Sequence, residues 1–299
     1  MLFRITAAIL MIVPCLDGYA ETPAFEVQEE IVYSTVDEKD LLLDAFVPTK
    51  EGAHPAVLVV HGGAWRTGNR KQLRGYANAL AERGFVCFAI DYRLAPDHKF
   101  PAQIEDCRAA VKFIRDHAGD YKVDPARLGA IGYSAGGHLV SLLATTGEPP
   151  SEENGNVDTR IQVCAAGGAP TDFRWFPDNG NWAEYWMGGN LESAKDNFHD
   201  ASSAAFADAD DAPVFFFNGS ADRIVPLMWT KKCYTALKSA GVKTELYTIE
   251  DASHMQAAAD QEALEKAYAF LQTELIPTEV ELVSGDGAEK EPVTASEIE

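Results

Sequence analysis

Ala130-Ile131-Gly132-Tyr133-Ser134-Ala135-Gly136-Gly137-His138 decides how the rest of the chain is read. An apolar run from Arg127 ends at Gly132, and a helical pattern from Ala135 to Ala144 follows one serine later. Gly-x-Ser-x-Gly between a strand and a helix places the serine on a sharp turn, with its hydroxyl projecting beyond the edge of a sheet. Gly132 and Gly136 give the close strand–helix approach that such a turn needs. The helix that follows opens with unpaired N–H groups and a positive dipole end, both suited to negative charge developing on an oxygen. The pentapeptide alone is a weak indicator, since it arises by chance in long chains; its position between two elements gives it weight.

Outward from this turn the pattern is regular. Apolar runs at 56–60, 85–90, 127–132, 161–166, 214–217 and 243–249 alternate with helical stretches near 71–83, 101–118, 135–144, 227–239 and 255–274. Continuously apolar strands alternating with helices predict a mostly parallel sheet covered on both faces. Two earlier strands, 31–36 and 40–47, read as an edge hairpin. Ligands in such sheets bind beyond the carboxyl ends of the strands, so the chemistry is expected in the loops that follow them.

Four such loops carry it. His61-Gly62-Gly63-Ala64-Trp65 follows one strand, where a flexible backbone aims N–H groups at the oxygen that Ala135 N–H faces. A serine hydroxyl is a poor nucleophile without a base, and the base needs an orienting acid. Asp222 follows strand 214–217 and His254 follows strand 243–249, in the order Ser, Asp, His that this architecture uses. Asp251, in the histidine's own loop, and Asp172 are the competing acids. His138 is expected to pack beneath the serine turn and His61 to brace the glycine loop, with His54, His98, His117 and His199 in surface or loop positions. Asp91-Tyr92-Arg93 and Asp106 read as buried polar braces.

Composition sets the outer limits. The 299 residues are 46% hydrophobic and carry a formal charge of −21, which repels nucleic acid and anionic membrane surfaces and argues against both as partners. Residues 1–20 have the form of a secretory leader: Arg4, the apolar run Ile5–Val13 and the small-residue ending Gly18-Tyr19-Ala20. That run is too short to span a bilayer, which takes about 20 apolar residues. Cys15 lies in a poor lipidation context, so cleavage after Ala20 and export, periplasmic or extracellular, are expected. Of the remaining cysteines, Cys87 and Cys164 sit inside strands and Cys107 and Cys233 in helical stretches; free core thiols are favoured over bridges. No metal-ligand spacing and no cofactor motif is present. The domain plan is a leader (1–20), one catalytic domain (21–275) with an aromatic-rich insert at 168–212 after the sixth strand, and an acidic tail (276–299). Trp65, Tyr133, Trp175, Trp182 and Trp186 are the candidate pocket residues; the aromatic segment 173–187 either roofs the site or packs the insert against the body.

The chain resembles the hormone-sensitive-lipase-like and bimodular feruloyl-esterase-like (BD-FAE) alkyl-ester hydrolases of the α/β-hydrolase fold. The likeness rests on the serine motif and the His61–Trp65 loop, together with Asp91-Tyr92-Arg93-Leu94-Ala95-Pro96 and Met187-Gly188-Gly189. Gly219-Ser220-Ala221-Asp222, Val225-Pro226 and His254 complete it, over roughly residues 40–272. It implies Ser134 as nucleophile, His254 as base, Asp222 as its partner, and Gly63, Ala64 and Ala135 as oxyanion donors. It also implies a short-chain or carbohydrate-linked ester, acetyl or feruloyl, as substrate. Ala64 replaces a usual third glycine, Asn218 a usual histidine, and Ala-Ser-His the common Gly-x-x-His. His-Gly-Gly-x-Trp is also similar to the oxyanion motif of kynurenine-formamidase-like proteins, which gives amide hydrolysis as the alternative. A binding protein on an inactive hydrolase fold would be expected to lack one of the three reacting residues.

Overall fold

In the computed structural model, which describes residues 24–152, 157–175 and 182–276, apolar strands such as β3 (His54–Val60) are buried along their whole length. Both faces of the sheet are therefore covered. The strands are β1 (Phe25–Val36), β2 (Lys39–Pro48), β3, β4 (Val86–Ile90), β5 (Val123–Tyr133), β6 (Val163–Gly167), β7 (Val214–Gly219) and β8 (Thr244–Ile249). They form one sheet in the order β1-β2-β4-β3-β5-β6-β7-β8. The β1–β2 and β2–β4 pairs are antiparallel and all others parallel. The helices are α1 (Arg74–Glu82), α2 (Ala102–Asp116), α3 (Ala135–Thr146), α4 (Trp182–Met187), α5 (Lys195–Asp200), α6 (Leu227–Ala240), α7 (His254–Ala258) and α8 (Gln261–Leu275).

Strand periodicity sorts the core into two layers. Leu58, Val60, Phe88, Ala130, Cys164 and Phe216 face one side, where they meet Val111, Leu139, Leu143 and Leu237 of α2, α3 and α6. Val57, Val59, Cys87, Ile131, Phe215 and Phe217 face the other, against Leu80 of α1 and Leu264, Phe270 and Leu271 of α8. The mostly parallel sheet with helices on both faces forms an α/β-hydrolase fold, as the sequence pattern and the resemblance lead one to expect. Cys87, Cys107, Cys164 and Cys233 are all buried free thiols, and burial pushes the Cys233 thiol up to about 12.

Three details differ from the sequence reading. β1 begins at Phe25 rather than 31, because register shifts after Gln28 and Val32 and a positive φ of 61° at Glu30 interrupt its alternation. β5 begins at Val123, which pairs with His54 across a further irregularity, so Pro125 lies inside the strand instead of before it. His54 is buried at the start of β3, neither superficial nor in a loop: its ring nitrogens face the carbonyls of Gly84 (3.0 Å) and Lys50 (2.9 Å) and tie β3 to the turn before it and to the turn that opens β4. Asp91, Tyr92, Arg93 and Asp106 do brace the body. Arg93 bonds Asp106 at 2.7 and 2.8 Å, Arg70 spans Asp91 and Asp44 at 2.7 Å each, and Tyr92 donates to His61 O at 3.0 Å.

Between β6 and β7 the described residues hold α4, α5 and a single 3-10 turn at Ser203–Ala205, with no strand. The leader at 1–20 and nearly all of the acidic tail lie outside the described residues, as do Phe176 and the Trp182 side chain. Among the described residues no helix is long and apolar enough to cross a membrane.

Candidate active site

The turn between β5 and α3 is strained in the manner its sequence requires. Ser134 sits at φ 58°, ψ −121°, a conformation that costs an L-residue on the order of 1–3 kcal/mol and persists only where surroundings enforce it. Enforcement comes from both sides: Ser134 N donates to Gly167 O of β6 at 2.8 Å, and His138 N donates to Ser134 O at 2.9 Å. A Cβ at Gly136 would overlap the Val60 carbonyl of β3, and one at Gly132 would overlap Gly136 itself. The glycines therefore admit α3 to the sheet, and the serine is left partly exposed at its edge.

Beyond β7 and β8 the acid and the imidazole meet. Asp222 Oδ2 accepts from His254 Nδ1 at 2.6 Å, while its Oδ1 accepts from the N–H groups of Ile224 (2.8 Å) and Val225 (2.9 Å). With both oxygens so engaged, Nδ1 carries the proton and Nε2 is the nitrogen left with a lone pair. Both side chains are buried. Tyr133, the residue before the serine, donates its hydroxyl to His254 O at 2.5 Å, and the two rings lie 5.0 Å apart. The serine turn and the histidine loop are thus tethered from the residue before the serine to the histidine's own backbone carbonyl. The competing acids are placed elsewhere: Asp251 is exposed, its N–H bonded to Ser220 Oγ, and Asp172 is paired with Arg174 at 2.9 Å. Asn218 cross-links the acid loop. Its Nδ2 donates to Gly219 O (3.1 Å) and Val225 O (3.2 Å), and its Oδ1 accepts from Thr230 Oγ1 (2.9 Å).

The glycine loop after β3 holds three successive positive φ angles: Gly63 114°, Ala64 52° and Trp65 57°. Gly63 is obligatory there, since a Cβ would overlap Thr67. Trp65 fixes the loop's far end by stacking on Trp186 (centroids 3.6 Å apart, 2° between planes) and donating its indole N–H to His138 Nδ1 at 3.1 Å. His138 in turn donates from Nε2 to Ala201 O at 2.7 Å. Burial pushes its pKa down to about 4, so the neutral ring that this pattern needs is kept. His61 stacks on Tyr92 at 4.1 Å and is likewise shifted down by burial, a bracing residue rather than a base.

A cleft of about 240 Å³ opens over the serine. Ala64, Trp65, Ser134 and Ala135 form its floor; Pro170, Tyr185, Ile224, Val225 and Trp229 form its walls. No charged side chain lines it. Of the five residues expected to line a pocket, Trp65 does. Tyr133 lies behind the serine, its hydroxyl spent on His254 O. Trp186 is fully buried beneath Trp65, so it offers a substrate no surface. Trp175 is 75% exposed on a separate groove beside Met228 and Lys231, away from the cleft. The side chain of Trp182 falls outside the described residues. Tyr185 belongs to the aromatic segment 173–187 expected over the site, though not to the five residues singled out; Trp229 was not foreseen, and Ile224 and Val225, two and three residues past the acid, could have been, from the loop they share.

Sheet order, strained serine and paired acid and imidazole together define an α/β-hydrolase. Within that class the chain belongs to the BD-FAE family, whose model matches residues 43–237, a span that holds Ser134 and Asp222 and stops short of His254. It is 31% identical over 205 residues to a probable carboxylic ester hydrolase, LipM, of Mycobacterium tuberculosis, which covers 66% of this chain and 48% of that one. It is 30% identical to esterase LipC of the same organism, over 64% of this chain and 50% of that one. The chain thus spans about half the length of these curated relatives. Among solved structures, the native esterase Est2 of Thermogutta terrifontis superposes with a TM-score of 0.70 at 27% identity, covering 87% of this chain and 96% of that one. A truncated carbohydrate esterase from gut microbiota shares the fold, with a TM-score of 0.76 at 21% identity over 85% and 98%.

Proposed function

We propose that this chain hydrolyses carboxylic esters by two-step acyl transfer. Ser134 attacks the carbonyl carbon while His254 Nε2 takes its proton, and the N–H groups of Gly63, Ala64 and Ala135 receive the oxyanion. His254 then hands the proton to the leaving alcohol, and water repeats the sequence on the acyl-enzyme. Asp222 keeps the imidazole in the required tautomer and balances its charge when protonated. The observation that carries this reading is the 2.6 Å Asp222–His254 pair tethered by Tyr133 to the serine turn.

The acyl group is short. An apolar cleft of about 240 Å³ is below the ~300–1,000 Å³ usual for drug-sized ligands, and Trp229 and Tyr185 stand in its walls. Along a series of p-nitrophenyl esters, kcat/KM should be greatest between acetate and butyrate and at least about tenfold lower for octanoate. Equal rates across the series would sink the short-acyl assignment. N-formylkynurenine run in the same panel separates ester from formamide hydrolysis. A carbohydrate-linked alcohol portion is supported by the fold neighbour described as a carbohydrate esterase, and acetylated xylan and methyl ferulate are its test substrates.

Export is part of the same reading and rests on Arg4, the run Ile5–Val13 and the small residues before Glu21. N-terminal sequencing of the protein expressed in a bacterial host should give Glu21 as the first residue. An intact Met1 in the cytoplasmic fraction would contradict it.

A further inference from the structure

We propose that Tyr185 is a positioning residue of the oxyanion loop, its hydroxyl holding the Ala64–Trp65 peptide in the orientation that acyl transfer uses. This role rests on the ester-hydrolase assignment proposed above.

The loop needs such a hold. Three successive residues have positive φ and only the first is glycine, so the backbone relaxes unless its peptide groups are pinned. Most pins come from the hydrolase body or from the loop itself. His61 O accepts from Tyr92, Gly63 O accepts from the N–H groups of Arg66 and Thr67 at 3.0 Å each, and Trp65 O accepts from Ala95 N at 2.9 Å. Ala64 O is different: it accepts from the Tyr185 hydroxyl at 2.8 Å, across 121 residues of chain, from α4 in the segment between β6 and β7. Ala64 lines the cleft beside the serine, and the pinned peptide is the one that follows the Ala64 N–H, so its release lets Ala64 turn out of its positive φ and carries that donor away from the reacting carbonyl.

Tyr185 is itself held. Its neighbour Trp186 stacks on Trp65, donates its indole N–H to Gln103 Oε1 at 3.0 Å, and accepts at its carbonyl from Phe100 N at 2.9 Å. Asn197 Nδ2 caps Met187 O at 2.7 Å. The Arg66 guanidinium lies 5.6 Å from the Tyr185 ring centroid. Burial raises the phenol pKa, so the hydroxyl keeps its proton and remains a donor. α4 therefore presents one hydroxyl, at fixed reach, to the one loop carbonyl that faces it.

Tyr185→Phe keeps the ring and removes the donor. With p-nitrophenyl acetate its kcat should fall about tenfold with KM within about twofold of wild type, and its rate of labelling by a fluorophosphonate should fall with kcat. Both steps build a tetrahedral centre over the same loop, whereas a residue that only walls the cleft moves KM and one that only packs moves the melting temperature. Unchanged kcat and labelling, or a loss confined to KM, would overturn the proposal. Should the Phe variant fail to fold, Tyr185→Gln, which retains a donor, should exceed Tyr185→Leu in kcat; equal rates would overturn it too. A wild-type protein that neither labels nor turns over defeats the ester-hydrolase assignment, whereas a wild type and Phe variant that label equally defeat only the role of Tyr185.

Discussion

Replacing Ser134 by alanine is expected to abolish covalent labelling by a fluorophosphonate and to lower kcat on p-nitrophenyl acetate by about a millionfold, the scale of losing an activated serine in other hydrolases. The size follows from the site's construction. The strained turn, the glycines that admit α3 and the tethered imidazole all serve one hydroxyl, and no other hydroxyl side chain lines the cleft except that of Tyr185, which is bonded to Ala64 O. Fragmentation of the labelled peptide should place the adduct on Ser134 and not on Ser141, which is fully buried and bonded to His138 O and Ser203. Because alanine adopts the serine's backbone angles no more readily, the variant should melt within a few degrees of wild type, so the lost activity reports chemistry. A wild-type protein labelled at another serine would remove the basis of the whole assignment.

Asp222→Asn should cost about 10⁴ in kcat near neutral pH while leaving the fold intact, in line with the same change in a serine protease triad. The structure gives the reason in terms of donors. The Ile224 and Val225 N–H groups require an acceptor at Oδ1, so an asparagine here turns its oxygen toward them and its NH₂ toward His254. Nδ1 must then accept, which moves the imidazole proton to Nε2, the nitrogen that has to take the serine's proton. Asp251→Asn, at an exposed residue held by its backbone N–H, and Asp172→Asn, whose carboxylate pairs with Arg174, should retain activity within about threefold in the same assay. A loss of less than tenfold in Asp222→Asn, or a large one in Asp251→Asn, would reassign the orienting acid.

Much of this geometry was legible because it is written in local rules. Strand runs buried on both faces are continuously apolar, and a Gly-x-Ser-x-Gly between a strand and a helix allows few conformations. The acid and the imidazole were findable because each follows a strand of a parallel sheet, which brings them to one edge whatever their separation in sequence. The insert was not legible in the same way. Its aromatics carry no periodicity that separates a ring facing substrate from one facing the core. Trp186 was expected in the roof and is buried beneath Trp65, whereas Tyr185, one residue away, faces both the cleft and Ala64. Trp229 follows the acid loop on α6, and its carbonyl accepts from Thr171 Oγ1 at 2.6 Å, a contact between distant segments that no local pattern announces. The bulged alternation of β1 and the burial of His54 were hidden likewise, since both depend on partners far along the chain.

The order of the reacting loops along the chain has a bearing on biosynthesis. Loop, serine and acid have all been made by residue 222, but the imidazole is at 254, on the far side of the last strand of the sheet. β8 docks on β7 through pairs such as Phe217 with Tyr247 and Gly219 with Ile249, and only that docking carries residue 254 to the turn at Tyr133. Until residue 254 has been made and β8 has docked, a ribosome-bound chain lacks the base that the proposed mechanism needs, whatever acyl compounds surround it. The same holds for any fragment cut off before β8: it retains a hydroxyl but has nowhere to send its proton.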